Sequence, residues 1–472
     1  MLLPRASPSS LAVSSRAVQH FLDGLDEKEI ECHSLMIVRQ GSVIAEGWWA
    51  PYSADRPHLL YSLTKSFTST AVGIAVDDGA LSLDDRVIDV LSEYGSAKLD
   101  EQARRLTVRH LLTMTTGHHE DTLEQAWASS PDDLVRGFLG MPFEVVEGSR
   151  HMYDNATTFV LARMVERVTG RSLPDFLDER LFAPMGIRHT EWDRVRTGKA
   201  FGFHGLHLTT EAIAAFGELM RVGGVWRGQR LISPEWIAAA TAHQVESRHY
   251  SPGATGEDFE AGYGYQFWMS RHGFHGNGAF GQQCIVVPSA ELVVVLTAAH
   301  GEVRHAQDVL DLAWDRLLPG IDAADGSGDD LRLRKTLATL EIPSVSGAVS
   351  DDRGRAVLVD DAGGTSALPA GTQVTVEPDS EGWRVHLGSS CLLTIGNGAW
   401  RESLPLGRPV AASGAWCNGT FVAHIRLTAT PHALQLTVED EVARLVWLTV
   451  PLTSPDLMRH LRSPLTTRPD VG

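Results

Sequence analysis

The chain has 472 residues, 43% of them hydrophobic and 21% charged, the balance of a globular protein large enough for two or three domains. Its net charge of −18 excludes the basic surface that nucleic acid or an anionic membrane would need. Four cysteines (Cys32, Cys284, Cys391 and Cys417) form no C-x-x-C pair and no His/Cys cluster; Cys284 and Cys391 lie in apolar strand-like runs, which reads as buried free thiols rather than disulfides or zinc ligands.

No stretch is long and apolar enough to cross a membrane, and Met1-Leu2-Leu3-Pro4-Arg5-Ala6 lacks the apolar core of a secretory signal. The expectation is a protein made and kept in the cytoplasm. An amphipathic helix is predicted around Ser15 to Leu25. Ser34 to Arg39 and Val43 to Trp48 then read as two strands of a hairpin turning at Gln40-Gly41.

The extended Arg56-Pro57-His58-Leu59-Leu60 leads into Tyr61-Ser62-Leu63-Thr64-Lys65-Ser66-Phe67 and an apolar helical segment, Thr70 to Val76. A serine and a lysine three apart at a helix start share one face. The Ser62 hydroxyl needs a nearby base to act as a nucleophile, and Lys65 can be that base if desolvation lowers its pKa. The helix N-terminus offers backbone N–H groups to a developing oxyanion. Taken alone, the pair also fits a solvated helix surface.

A further helix is predicted over Leu106 to Met114, and the pattern stays mainly helical to Gly223. Within it, Tyr153-Asp154-Asn155 follows the loop Glu147-Gly148-Ser149-Arg150. A tyrosine can relay protons when a lysine stands by it, and an asparagine two residues on can orient that lysine. The competing reading is a helix N-cap, with Tyr153 in packing. Strand character returns at Tyr263 to Met269, Gln282 to Val287 and Leu292 to Ala298, and a helix is predicted over His305 to Leu318. Gly276-Asn277-Gly278-Ala279-Phe280-Gly281 leads into the second of these strands. Glycine there permits close backbone approach, so Gly278, Ala279 and Gly281 are candidates for binding an acyl chain and its oxyanion. A hairpin through Pro288-Ser289-Ala290-Glu291 brings His300 back to Ala279 and Phe280, which makes it a candidate polar group; inert surface is the alternative.

Strands at both ends and helices between predict an α+β domain, 1–320, with one antiparallel sheet. Residues 321–341 read as a linker with a short helix. From 342 to 472 the sequence has about eight short alternating strands, including Val357, Val374, Trp383, Phe421, Leu434 and Trp447, which implies a small all-β barrel or sandwich.

Ser62-x-x-Lys65, Tyr153-x-Asn155 and the glycine-rich approach to a strand, in this order, resemble the serine β-lactamase/penicillin-binding-protein-type hydrolases of the class C kind. The flanking Leu111-Leu112-Thr113-Met114-Thr115-Thr116-Gly117 and Gly205-Leu206-His207-Leu208-Thr209 resemble them too, over roughly residues 30 to 318. The resemblance implies a transpeptidase-like fold, an acyl-enzyme on Ser62, Lys65 as base and Tyr153 as proton shuttle. It also shows a departure: no lysine stands on the third-motif strand, and His275-Gly276-Asn277-Gly278 does not align cleanly. The usual cation for a β-lactam or D-Ala-D-Ala carboxylate is missing.

Within that family the chain most resembles the stand-alone penicillin-binding-protein-type thioesterases, which cyclise nonribosomal peptides and carry a lipocalin-like β-domain after the catalytic block. This implies catalytic Ser62, Lys65, Tyr153, Asn155 and His300, no metal and no cofactor. The small peptide substrate arrives as a thioester on the phosphopantetheine of a peptidyl carrier protein of a nonribosomal peptide synthetase, with a D-residue at the acyl end. Arg444, on the last clear strand, is a candidate for binding a carboxylate or carbonyl of the incoming end; a solvated strand face is the alternative. The other readings are an esterase or amidase like the 6-aminohexanoate-dimer hydrolases, a β-lactamase or DD-carboxypeptidase, and a non-catalytic binding protein. Four intact site residues argue against the last.

Overall fold

The computed structural model describes residues 1–96, 99–248, 256–301, 304–323, 325–347, 353–360 and 363–462. The last ten residues assigned to the C-terminal domain, 463–472, lie outside the described residues.

The first domain is built on a six-stranded antiparallel sheet in the order Ser42–Trp48, Cys32–Arg39, Leu292–Ala298, Gln282–Val287, Gly273–Gly278, Trp268–Ser270. The second and third strands in this order come from opposite ends of the domain and pair Ile37 with Val294. Every residue of Cys32–Arg39 and Leu292–Ala298 is buried, which is why both read as continuous apolar runs rather than alternating ones. Ile37, Val294 and Leu296 pack with Phe21 and Leu310 from the helices Ser15–Glu27 and His305–Leu312. Met36, Val293 and Val295 face the other way, onto Phe67 of the helix Thr64–Asp77 and Phe216 of Thr210–Arg221. The hairpin turn falls at Gln40 and Gly41, both at positive φ.

Two expectations change. Tyr263 to Met269 is paired as a strand only from Trp268, whereas the glycine-rich Gly273–Gly278 is a full strand. Glycine is a poor strand former by propensity, but here the helical lobe presses on the strand's face: a Cβ on Gly276 would sit 2.3 Å from Leu63 Cδ1, and one on Gly278 2.1 Å from the carbonyl oxygen of Leu60. The 321–341 segment is also more than a linker. Its helix, Ser327–Ala338, returns to the first domain, with Leu333 in the core and Asp330 accepting from Ser15 Oγ at 2.5 Å. Leu337 and Leu340 close over Gly47, covering the edge strand Ser42–Trp48.

The second domain is a closed eight-stranded barrel. Its strands run Cys391–Gly396, Gly382–Leu387, Gln373–Asp379, Gly354–Leu358, Val442–Trp447, Ala433–Glu439, Thr420–Leu427 and Val410–Cys417, and the last closes on the first through Gly396 and Ser413. A ninth short strand, Arg401–Ser403, pairs alongside Val410–Ala412. Inward residues such as Val374, Val385, Leu436 and Leu445 fill the interior together with Trp383, Phe421 and Trp447. Of the barrel and sandwich that the strand spacing left open the structure takes the barrel, consistent with the lipocalin-like domain that the resemblance implies. Cys32, Cys284 and Cys391 are buried free thiols, and Cys417 is exposed. No helix among the described residues is long and apolar enough to cross a membrane.

Candidate active site

Ser62 lies in the single turn Tyr61–Leu63 that runs directly into the helix Thr64–Asp77. Lys65, on the first turn of that helix, is 1% exposed. Its Nζ is 2.8 Å from Ser62 Oγ, 2.7 Å from Asn155 Oδ1 and 3.1 Å from the carbonyl oxygen of Phe203. The ring of Tyr153 lies under the same nitrogen, 4.7 Å from centroid to Nζ. Tyr153 also stands close enough to the Ser62 hydroxyl to feel it electrostatically. The four residues of the two motifs therefore meet around one amine.

Burial lowers the Lys65 ammonium to about 7, against a smaller opposing pull from the carboxyl groups of Asp121 and Asp154. A neutral amine has two N–H bonds and one lone pair. Asn155 Oδ1 and the Phe203 carbonyl can only accept, so they take the two N–H groups, and the lone pair is left for the Ser62 hydroxyl. That arrangement can draw a proton from Ser62 at neutral pH. Burial pushes the Tyr153 phenol well up, so it holds its proton, and the neighbouring Ser62 hydroxyl opposes that shift.

Both readings of the Tyr153 loop hold together. Asp154 is the N-cap of the helix Asn155–Thr169 and accepts from the backbone N–H of Ala156 at 2.9 Å. Asn155, the first helical residue, faces Lys65. Its amide is oriented from behind by Asp121, which accepts from the Asn155 backbone N–H at 3.0 Å and from Nδ2. Asp154 is fully buried beside Asp121, and its carboxyl is raised well above the usual carboxylate range, burial first and the neighbouring Asp121 charge second. Asp154 thus lies behind the Asp121 carboxylate that turns the Asn155 oxygen toward Lys65.

The strand Gly273–Gly278 forms the opposite wall. Trp268–Ser270 pairs along it only as far as His275, so the outer edge of Gly276–Gly278 has no strand partner among the described residues. Gly278 abuts Leu60, two residues before the nucleophile, and the Phe280 ring is 5.1 Å from that of Tyr61. Trp268 stacks on Tyr153 at 5.6 Å. Ala279 and Gly281 lie in the turn to Gln282–Val287, with Gly281 at φ +96°. His300 arrives where the hairpin geometry directs it: its backbone N–H is 3.2 Å from the carbonyl oxygen of Phe280, and its imidazole covers Gly281 so closely that a Cβ there would meet Nε2 at 2.4 Å. It stands at the sheet end beside Phe280 and Gly281.

His275 points away from Ser62. On a strand whose Gly276 faces the nucleophile helix, residue 275 takes the other face, where Ser270 Oγ is 2.7 Å from its Nδ1 and Phe259 is edge-on. It therefore supplies no substitute for the missing lysine. Among the described residues Arg444 makes no hydrogen bond or ion pair with Ser62, Lys65, Tyr153 or Asn155. It is exposed on the outer wall of the barrel, opposite Thr437, while its neighbours Ala443 and Leu445 point inward.

Asp121, the Phe203 carbonyl and Trp268 carried no sequence signal. Asp121 follows Gly117-His118-His119-Glu120 in a loop and reads as an ordinary helix-start acid, and a backbone carbonyl has no residue identity. Glu191, Asp193 and His207 gather their ligand atoms within 4.8 Å of one another, but the positive charge among them is Arg408 of the barrel, 3.4 Å from Glu191 and 3.5 Å from Asp193. A cavity of about 560 Å³ lined by Arg5, Glu46, Trp48, Leu333 and Leu337 lies at the opposite edge of the sheet from Gly273–Gly278 and plays no part in this constellation.

The family described as Beta-lactamase matches residues 16–315. The chain belongs to this family and, with its penicillin-binding-protein relatives, is a serine hydrolase. The 6-aminohexanoate-dimer hydrolase of Paenarthrobacter ureafaciens is 28% identical over 312 residues, covering 61% of this chain and 79% of that protein. Penicillin-binding protein 4 of Amycolatopsis lactamdurans is 31% identical over 183 residues, 38% of this chain and 44% of the relative. In fold, the octameric penicillin-binding protein homologue of Pyrococcus abyssi superposes with a TM-score of 0.52 over 92% of this chain and 98% of its own, at 17% identity. That span takes in the barrel as well as the catalytic domain.

Proposed function

We propose that this protein releases a peptide from a carrier-bound thioester by forming an acyl-enzyme on Ser62 and letting the peptide's own amine displace it. Neutral Lys65 takes the Ser62 proton as Oγ attacks the thioester carbon. The protonated lysine, through Tyr153, returns a proton to the departing phosphopantetheine thiolate. In the second half the peptide amine attacks the ester, loses its proton along the same Tyr153–Lys65 path, and Ser62 recovers its hydroxyl as the macrolactam leaves. Asn155 keeps the lysine lone pair on Ser62 throughout. The partner is the peptidyl carrier protein of a nonribosomal peptide synthetase, no cofactor of the enzyme's own is involved, and a D-residue is preferred at the acyl carbon. Such release from a synthetase is cytoplasmic work.

The observation that carries this reading is a Lys65-activated serine beside a strand with no cation. Gly273 to Gln283 contains neither Lys nor Arg, His275 faces away, and the strand residues nearest the nucleophile turn are glycines. Such a wall suits a neutral acyl donor, a thioester, ester or amide, better than the free carboxylate of a β-lactam. The barrel domain adds the wall against which a peptide can fold back on itself, so that the amine competes with water.

One observation favours a second reading. The match to the 6-aminohexanoate-dimer hydrolase spans 79% of that protein, which supports hydrolysis of a linear amide or ester. The two readings share the acyl-enzyme and differ in the second nucleophile. Incubation with a synthetic linear peptide thioester bearing a free L-amino end and a D-residue at the thioester, with Ser62→Ala as control, separates them by mass spectrometry. A Ser62-dependent cyclic product is expected. Linear acid alone would replace the cyclase reading with the hydrolase, and turnover that survives Ser62→Ala would remove both.

A further inference from the structure

Tyr61, one residue before the nucleophile, sits at φ +48°. Bulky aromatic residues rarely adopt this left-handed conformation, so something must hold it. The holding groups come largely from the barrel. The Tyr61 hydroxyl is 2.7 Å from His432 Nε2. His432 Nδ1 is 2.9 Å from the carbonyl oxygen of Thr449, and since a carbonyl only accepts, Nδ1 carries the ring proton and Nε2 is left to accept from the phenol. Phe280 closes the arrangement, its ring 5.1 Å from Tyr61 and 5.3 Å from His432.

The residues leading to Tyr61 are tied to the same part of the barrel. The backbone N–H of Leu59 donates to the carbonyl of Ala429 at 2.9 Å. Arg56 donates to Thr428 Oγ1 at 2.7 Å and to Glu402 at 2.8 Å. Two barrel arginines fix the joint on either side: Arg426, 4% exposed, pairs with Glu31, and Arg408, 1% exposed, with Glu191 and Asp193. These are charges placed where only a partner charge makes burial tolerable. The barrel thus engages the nucleophile turn in one position.

We propose that the barrel is a working part of the active site: through the His432–Tyr61 hydrogen bond it sets the turn that aims Ser62 Oγ, and His432 is a positioning residue. This rests on Ser62 being the nucleophile. Both nitrogens of His432 are engaged and the ring is fully buried, so its role is geometric rather than proton transfer to substrate. The reaction is sensitive to such aim, since displacement of a reacting atom by about 1 Å costs roughly a hundredfold in rate.

The test is the acylation burst with p-nitrophenyl acetate on the full chain. Tyr61→Phe, His432→Phe, their double variant and His432→Gln are each confirmed folded by circular dichroism. The two single Phe variants are expected to acylate ~10–100-fold more slowly, with KM little changed and the pH limb set by Lys65 in place. The double variant should be no slower than either single one, because both remove the same bond, and His432→Gln, which keeps an acceptor, should recover part of the rate. A folded His432→Phe enzyme acylating at the unmodified rate overturns the proposal, as does a double variant whose loss is the product of the two. Should His432→Phe fail to fold, Tyr61→Phe, which removes a single oxygen, decides alone. A burst that survives Ser62→Ala would instead remove the nucleophile assignment, a separate failure.

Discussion

Lys65 offers the sharpest perturbation. An ordinary lysine titrates at 10.5 and this one at about 7, a difference of about 5 kcal/mol between the neutral and charged amine. Acylation by Ser62 needs the neutral form. Its rate should therefore rise with pH through about 7 and level off above it, so that at pH 5 about one molecule in a hundred carries the active base. The same shift appears in stability with a definite sign. Between pH 7 and 10.5 the unfolded chain binds a proton that the folded chain has released, so unfolding free energy rises with pH across that window. From this group alone the rise is about 1.4 kcal/mol per pH unit; below 7 both states are protonated and the slope vanishes. Lys65→Met should abolish the burst, a loss of at least ~100-fold, and should also remove the extra slope. The assays are burst amplitude and rate with an activated ester from pH 5 to 9, and urea unfolding from pH 6.5 to 9.5 for both proteins. A kinetic limb near 10, or the same limb and slope in Lys65→Met, would refute the assignment.

Two further outcomes concern the wall and the joint. Gly278→Val should lower the unfolding midpoint and acylation together, because its Cβ would meet the Leu60 carbonyl at 2.1 Å and the neighbouring backbone must move; equal thermal stability and rate would show that the strand does not press on the nucleophile turn. Arg408→Leu should destabilise the folded chain by up to about 3 kcal/mol, read by chemical denaturation, since it removes a cation from the buried carboxylate of Asp193 and leaves it His207 at 3.3 Å. Part of that cost should disappear when Asp193→Asn is added, and an additive double variant would exclude the pair.

Much of the site was legible in the sequence because its chemistry is local. Ser62 and Lys65 are one helical turn apart, so their spacing alone puts the amine beside the hydroxyl once a helix forms. Tyr153 and Asn155 flank an N-cap, which made the loop recognisable in two ways that turn out compatible. His300 followed from antiparallel register, a rule of geometry that needs only the two strands and their turn. Alternation of apolar residues was likewise enough to announce a barrel or sandwich after residue 342; the structure closes it into a barrel with Trp383 and Trp447 inside. Arg444, by the same alternation, belongs on the outside.

What the sequence determined by itself, then, is the set of groups whose placement depends on a few neighbouring residues: the Ser–Lys turn, the Tyr-x-Asn cap, the sheet hairpin and the strand periodicity of the barrel. Tertiary structure alone decided the rest. The lysine pKa depends on burial by segments far from it in sequence. The strand character of Gly273–Gly278 comes from a helical lobe pressing on its face, which reverses what propensity suggests. Tyr61 and His432 lie 371 residues apart, and no local pattern couples positions at that distance; only the docking of two separately cored domains, joined through buried arginines, brings the barrel against the nucleophile.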